Sequence, residues 1–320
     1  MRLGLLAQTE VLGSHARRSI IETPVLSSVS VLLLHFYQRM YQGWTIMPVN
    51  ERSRAFRTSF DHVAEEYDAI RPGYPPALIN DIVTMTALPV HARILEVGCG
   101  TGQATMPFAE RGYQLTCLDL GGALLAIAQR KFAAYPHVHF HHVAFEDWIS
   151  QPNMFDLVMS ATAFHWVAPD IGYPKAADFL KDTGSLAIFS NEHRPPDPEF
   201  AADMYQLEQD IVPEWPDPRI GSDIEGAIAE TTAMINTTQC FEPVIVKTYP
   251  WSQAYTTTEY LRLINTYSNY RSLVEDSRTR LFHGIADLLD RRYGGTITKD
   301  YLAVLYLARK RSSATEHPAI

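Results

Sequence analysis

From about residue 56 the chain alternates short apolar runs with longer amphipathic stretches, a pattern that predicts βαβ units and a mostly parallel sheet. An amphipathic stretch over Phe60 to Ala69 leads into Arg71-Pro72-Gly73-Tyr74-Pro75-Pro76, whose prolines stop the helix, and the next helix is expected from Ala77 to Thr86. The first strand, Arg93 to Val97, runs straight into Gly98-Cys99-Gly100-Thr101-Gly102 and a helix from Gln103 to Arg111 that Gly112 stops. A strand over Tyr113 to Asp119, a helix over Ala123 to Tyr135, and strands over Val138 to Val143 and Phe155 to Ser160 follow. Helix Ile171 to Leu180, a turn at Lys181-Asp182-Thr183-Gly184 and the apolar strand Ser185 to Ser190 repeat the unit, the last reading as a central parallel strand.

After Asn191 the pattern becomes Pro-rich and then helical to about Ile235, and two late strands are expected at Val244 to Tyr249 and Tyr301 to Leu307. The interval between them is helical. Thr256-Thr257-Thr258-Glu259 reads as a capping box opening a helix through Thr266, and a second helix over Arg278 to Tyr293 is ended by Gly294-Gly295. The expected organisation is a poorly ordered extension over residues 1–46, then one domain over 47–320 with a lid insertion at about 192–240 and fraying beyond Arg311. The apolar run from Val25 to Tyr37 could be read as a signal segment, but it is too short to span a bilayer, follows Glu22 and Pro24, and lacks a cleavage pattern. Met47 is a natural start for the folded part.

Composition narrows the function. A 320-residue chain, 46% hydrophobic, can bury a sizeable core, and a formal charge of −9 argues against nucleic acid as a partner. Three cysteines, at 99, 117 and 240, have neither disulfide density nor metal spacing, which fits a reducing, cytoplasmic setting with no membrane partner. His139, His141 and His142 tempt a metal reading, but alternation sends His142 to the opposite face, and no metal site is expected.

The sharpest signal is Ile94-Leu95-Glu96-Val97-Gly98-Cys99-Gly100-Thr101-Gly102, a buried strand entering a three-glycine turn that opens a helix. Glycine serves there because the turn needs φ values a Cβ disfavours and because backbone must approach a ligand. Position 103 is Gln, so the spacing is G-x-G-x-G and not the dinucleotide G-x-G-x-x-G, which shifts weight to a cofactor without a pyrophosphate. Asp119, ending the second strand, can accept hydrogen bonds from ribose hydroxyls.

These residues, with Leu118-Asp119-Leu120, Phe145-Glu146-Asp147-Trp148, Phe155 to Ser160, Phe164-His165-Trp166 and Ser185 to Phe189, resemble a class I S-adenosylmethionine-dependent methyltransferase over about residues 56 to 310. The resemblance lies within the methyltransferase type 11 group that includes trans-aconitate-type small-molecule enzymes. It implies an α/β, Rossmann-like, doubly wound seven-stranded sheet, mostly parallel with an antiparallel last strand, and S-adenosylmethionine as cofactor. Carried over by position, Glu96, Gly98, Gly100 and Gly102 would face the methionine and ribose. Asp119 would meet the ribose hydroxyls and Leu120 the adenine, while Ala144 and Phe145 occupy the place where relatives present an acid to the adenine amino group. Ala144 cannot do so, leaving Phe145 or Glu146. Ser160 and Ala161 would line the methionine end, and Tyr67 and Arg71 belong to a helix that closes over the cofactor.

Methyl transfer from a sulfonium is an in-line displacement, so positioning dominates; a carboxylate acceptor needs no base, whereas a hydroxyl must lose a proton. His165, at the carboxyl end of the fourth strand, is the candidate base, with packing of the loop as its other reading. Trp166, His193, Arg194 and Tyr205 are candidate substrate contacts, with Asn191 and Trp215 nearby, and Arg71 or Arg194 could pair with an anionic substrate. The expected function is a cytoplasmic methyltransferase acting on an oxygen of a small molecule, a carboxylate being one candidate acceptor. A binding protein that keeps the cofactor pocket without turnover, and a nicotinamide dehydrogenase, are the alternatives.

Overall fold

The computed structural model describes residues 63–215, 217 and 223–312. The expectations for residues 1–46, for Phe60 to His62 and for the chain end beyond 312 lie outside the described residues.

Two short helices precede the sheet, α1 (Ala64–Ile70) and α2 (Pro76–Met85), the second with Pro76 at its first turn, where the missing N–H costs nothing. Then come β1 (Arg93–Val97), α3 (Thr105–Ala109), β2 (Gln114–Asp119), α4 (Gly122–Lys131), β3 (Val138–His142), β4 (Phe155–Ala161), α5 (Pro169–Phe179) and β5 (Leu180–His193). The last part holds α6 (Pro198–Ile211), α7 (Ile224–Thr237), β6 (Ile245–Thr256), α8 (Thr257–Asn265), α9 (Ser268–Arg271), α10 (Glu275–Arg292) and β7 (Thr296–Arg309).

The seven strands lie in the order β3-β2-β1-β4-β5-β7-β6, all parallel except β7, which runs antiparallel to both neighbours. Alternation along the central strands splits the core in two. Ile94, Leu157, Ala187 and Leu305 pack with α2 and α3, while Leu95, Val158, Leu186 and Val304 pack with α5 on the opposite face. This is the doubly wound sheet that the resemblance implies, built from the βαβ units that the alternating pattern predicts.

Three expectations are corrected. Lys181 to Gly184 is not a free turn but the start of β5, bulged where Phe155 pairs with Leu180 and Leu157 with Ser185. Asp156 holds the bulge, accepting from Lys181 Nζ at 2.7 Å and from the Arg93 amide at 2.8 Å. β6 continues through Pro250 to Thr256, which proline permits because β6 is an edge strand and one amide there needs no ladder partner. β7 begins at Thr296, since β6 supplies backbone partners to a polar stretch whose composition does not advertise a strand.

The region expected as one lid divides. α6 packs Phe200 and Met204 into a third cluster with Leu263, Leu281, Ile285 and Tyr301, whereas Ile235 of α7 joins the core on the α5 face of the sheet. α6 is fixed to α10 by Arg292, which bonds Glu199 at 2.6 Å and also Asp203. The expected capping box is present: the Glu259 amide donates to Thr256 Oγ1, and Glu259 Oε2 accepts from the Thr256 amide at 2.8 Å. Replacing Thr256 with Ala should therefore cost about 1 kcal/mol in urea unfolding, with the far-ultraviolet signal of the native state unchanged.

Candidate functional site

The carboxyl ends of β1, β2 and β4 meet at a cleft, the place where an open parallel sheet leaves room between diverging connections. At Gly98 the chain leaves β1 with φ +73°, and a Cβ added there would stand 2.3 Å from the Ala163 Cβ, so the turn after β1 and the turn after β4 touch with no room for a methyl group. Gly100, at φ +55°, instead faces the cleft, with the Tyr67 ring 3.7 Å from where its Cβ would be.

Asp119 fixes this turn. One carboxylate oxygen accepts from the Gly100 amide at 2.8 Å and the other from the Gly121 amide at 2.7 Å. Each oxygen retains acceptor capacity. Tyr67, Gly98, Gly100, Asp119, Leu120, Phe145 and Ala161 of the predicted set line the cleft, together with Trp166. Phe145 is fully buried and ring-packed against Phe164 and Phe179.

Other predicted residues lie apart from the cleft wall. Glu96 is fully buried on the α3 side of β1, where it accepts from Thr105 Oγ1 at 2.6 Å, and its second carboxyl oxygen has no partner. Burial pushes its pKa up to about 8, against the opposing hydrogen bonds from Thr105 and Cys117. Ser160 is buried and donates to the Val97 carbonyl at 2.7 Å, pinning β4 to β1. Ala144 is buried below Phe145, its carbonyl accepting from the Asp147 and Trp148 amides. Gly102 packs against the Phe132 ring. Arg71 turns its guanidinium to Thr266, donating to Oγ1 at 2.8 Å and to the carbonyl at 2.9 Å.

His165 sits on the short 3-10 turn after β4, its ring 4.8 Å from that of Trp166. Surrounding protein lowers its pKa, to about 4; the ring is exposed, so water limits the depression, and either way the imidazole is neutral at pH 7. His193 ends β5 between the rings of Tyr267 and Tyr301, 5.4 and 5.5 Å away. Arg194 is exposed, and Tyr205 is half-buried on α6. Among the described residues no cluster of three or more His, Cys, Asp or Glu could hold a metal ion, and no helix is long and apolar enough to cross a membrane.

Several lining residues were given no role in the sequence: Val97 and Leu118, which lie inside the recognised motifs, and Leu124, Val143, Thr162, Ala163 and Val167. Most are the apolar positions flanking the recognised motifs, and Thr162 carried one signal only visible in three dimensions, a φ of +55°. Its hydroxyl meets Tyr74 Oη at 2.7 Å, which ties the proline-rich 71–76 loop to the cleft.

The family model for a methyltransferase domain matches residues 94–184, the stretch that supplies the glycine turn, Asp119 and the β4 turn. An uncharacterized methyltransferase of Staphylococcus carnosus is 31% identical over 171 residues, covering 49% of this chain and 73% of that protein. The chain belongs to the class I S-adenosylmethionine-dependent methyltransferases. An uncharacterized methyltransferase of Mycobacterium tuberculosis is 30% identical over 138 residues, 43% of this chain and 54% of that protein, so this methyltransferase spans about half the length of the curated relatives it matches first. In fold it is similar to a candidate type II methyltransferase of Anaeromyxobacter dehalogenans, with a TM-score of 0.53, 20% identity, and coverage of 75% of this chain and 97% of the other.

The cofactor of this family is S-adenosylmethionine, and the cleft fits it. The Gly100 backbone lines the cleft, Asp119 holds its carboxylate at the place where ribose hydroxyls would bind, and Leu118, Leu120, Val143 and Phe145 make an apolar slot for a flat base.

One consequence of the buried Glu96 is measurable without ligand. Its folded pKa lies above the ordinary carboxylate value, so folding takes up a proton between about pH 4.5 and 8, and stability falls as pH rises through that window. Glu96→Gln should flatten this part of the stability profile; subtracting variant from wild type isolates Glu96 from Glu208, whose burial raises its pKa in the same direction.

Proposed function

We propose that this chain transfers the methyl group of S-adenosylmethionine to an oxygen of a small-molecule acceptor. The observation that carries the reading is the glycine turn anchored on both oxygens of Asp119 at the mouth of an apolar slot. The bound cofactor supplies an electrophilic methyl on a sulfonium sulfur; the chain's part is orientation and exclusion of water. Tyr67 covers the glycine turn from α1, and the 71–76 loop is tied across the mouth by Tyr74 to Thr162 and by the Gly73 carbonyl, which accepts from Asn191 Nδ2 at 3.0 Å. Such ties hold an acceptor behind the methyl carbon, where proximity supplies most of the rate.

His165 is neutral at pH 7, and among the described residues no carboxylate acts on its imidazole to raise its basicity as a general base needs. A carboxylate acceptor asks for no base, and this favours a carboxylate over a hydroxyl oxygen. On that reading His165→Gln lowers kcat by less than about tenfold and leaves the pH profile between 6 and 8 unchanged, whereas a loss of about 10²-fold would assign His165 the base role. His165 beside Trp166, which lines the cleft, then acts by shaping the acceptor side.

The test of the cofactor reading is thermal unfolding of the full chain with S-adenosylhomocysteine and, separately, with NAD. At a hundred times its dissociation constant a ligand stabilises by about 2.7 kcal/mol, so S-adenosylhomocysteine should raise the midpoint and NAD should not. Asp119→Ala removes both anchors of the glycine turn and should abolish that rise. A rise with NAD alone would return the glycine turn to the dehydrogenases, and turnover on an acceptor separates an enzyme from a binding protein.

A further inference from the structure

A second group of polar side chains, beside the cleft, gathers on one face of the β5-β7-β6 end of the sheet. The register sets His193 against Tyr301 and Trp251 against Tyr301, with Lys299 two residues before Tyr301 and so on the same face. Trp251 stacks on Tyr301 at 4.8 Å, and Lys299 Nζ lies 5.6 Å from the Tyr301 ring centre. Arg71 reaches in from the end of α1, its guanidinium carbon 4.8 Å from the Tyr267 ring centre and 5.1 Å from that of Tyr67.

This face holds two cations and no counter-charge. Arg71 gives two of its five donors to Thr266, and neither it nor Lys299 forms an ion pair among the described residues. Neighbouring acids are committed elsewhere: Glu66 accepts from Asn265 Nδ2 at 2.7 Å, Glu259 closes the capping box, and Asp300 accepts from Ser252 Oγ at 2.6 Å on the opposite face. Surrounding protein lowers the His193 pKa, and both charges that act on it, those of Lys299 and Arg71, are positive and lower it further; the residue is open to solvent, which limits the depression. The Tyr267 hydroxyl is buried and makes no hydrogen bond of ordinary length; the Tyr301 hydroxyl, itself bonded to Tyr255 at 3.0 Å, is the polar group that acts on it. Half-buried like charges and a weakly partnered buried hydroxyl are each costly, and one anion would relieve both.

We propose that Arg71, Lys299, His193 and Tyr267 form an anchoring subsite for a carboxylate carried by the methyl acceptor. The assignment rests on the methyltransferase reading for the word acceptor, but the subsite is a binding claim that stands apart from turnover. Its donors are all side chains set among aromatic walls, and the planar Arg71 fork matches the planar geometry of a carboxylate. His193 is exposed and Lys299 and Arg71 only half-buried, so an anion can enter from solvent. Tyr67 touches Arg71 on one side and faces Gly100 on the other, so a molecule anchored here lies next to the cofactor cleft with its reacting oxygen elsewhere on its frame.

Titration calorimetry on the full chain, at ionic strength matched with chloride, tests this with acetate and succinate as probes and inorganic phosphate as the comparison anion. At least one carboxylate should bind; Lys299→Met should weaken it at least about tenfold, Lys299→Arg should restore it to within about threefold, and Tyr267→Phe should weaken it by a smaller factor. Titration with S-adenosylhomocysteine in each variant reports the cofactor cleft independently. Carboxylate binding that is absent, equal in wild type and Lys299→Met, or replaced by phosphate binding alone overturns the subsite. Carboxylate binding that follows the expected order while S-adenosylhomocysteine fails to bind wild type leaves the subsite standing and removes the methyl-transfer reading.

Discussion

Two backbone amides on one carboxylate hold the cleft in shape. Asp119 ends β2 with one oxygen on the Gly100 amide and the other on the Gly121 amide, so the same side chain fixes the turn that leaves β1 and the entry to α4. Without it the glycine turn, whose residues take left-handed φ values that are as accessible unfolded as folded, would have little reason to keep one conformation. Once that turn is fixed, Gly98 must lie against Ala163, which sets the distance between the β1 and β4 connections and hence the width of the slot. Further contacts follow from the same geometry: Lys131, at the end of α4, bonds Asp68 of α1 at 2.6 Å and the Thr101 carbonyl at 3.0 Å, bringing Tyr67 over the turn.

The parallel half of the fold was legible because its signals are local. β1 was bounded at the right residues, as strand, glycine turn and terminal acid occupy consecutive stretches whose period changes abruptly. The late antiparallel half was foreshortened: strands expected to end at Tyr249 and to begin at Tyr301 run on to Thr256 and back to Thr296, for the tertiary reason that β6 pairs along its full length with β7. α9 left no periodicity to read in its four residues.

Within the site, legibility divides along a similar line. Residues whose backbone makes the cleft, Gly98, Gly100 and Asp119, follow from spacing. Where a side chain points is another matter: Glu96 and Ser160 belong to the recognised strands, yet alternation and packing turn them inward to Thr105 and to the Val97 carbonyl. Thr162 and Ala163 matter through a turn conformation and a close approach, neither of which composition encodes.

Arg71 shows why the face beside the cleft resists reading most. Its sequence neighbours place it at the end of a helix before a proline, but its partners, Thr266 and Tyr267, are 195 and 196 positions further on. Thr266 Oγ1 itself donates back to the Leu263 carbonyl at 2.6 Å, so the end of α8 is held rigid where Arg71 docks. With two donors committed to that helix end, the guanidinium is fixed in place before any ligand arrives, and its remaining N–H groups stay oriented at low entropic cost. A flexible surface arginine could neutralise an anion; one clamped between the Tyr67 and Tyr267 rings can also position it, and Tyr67 is the residue that carries that position to the glycine turn. The end of α1 thus serves both places, with Tyr67 a wall of the cofactor cleft and Arg71, the C-cap, a cation on the neighbouring face.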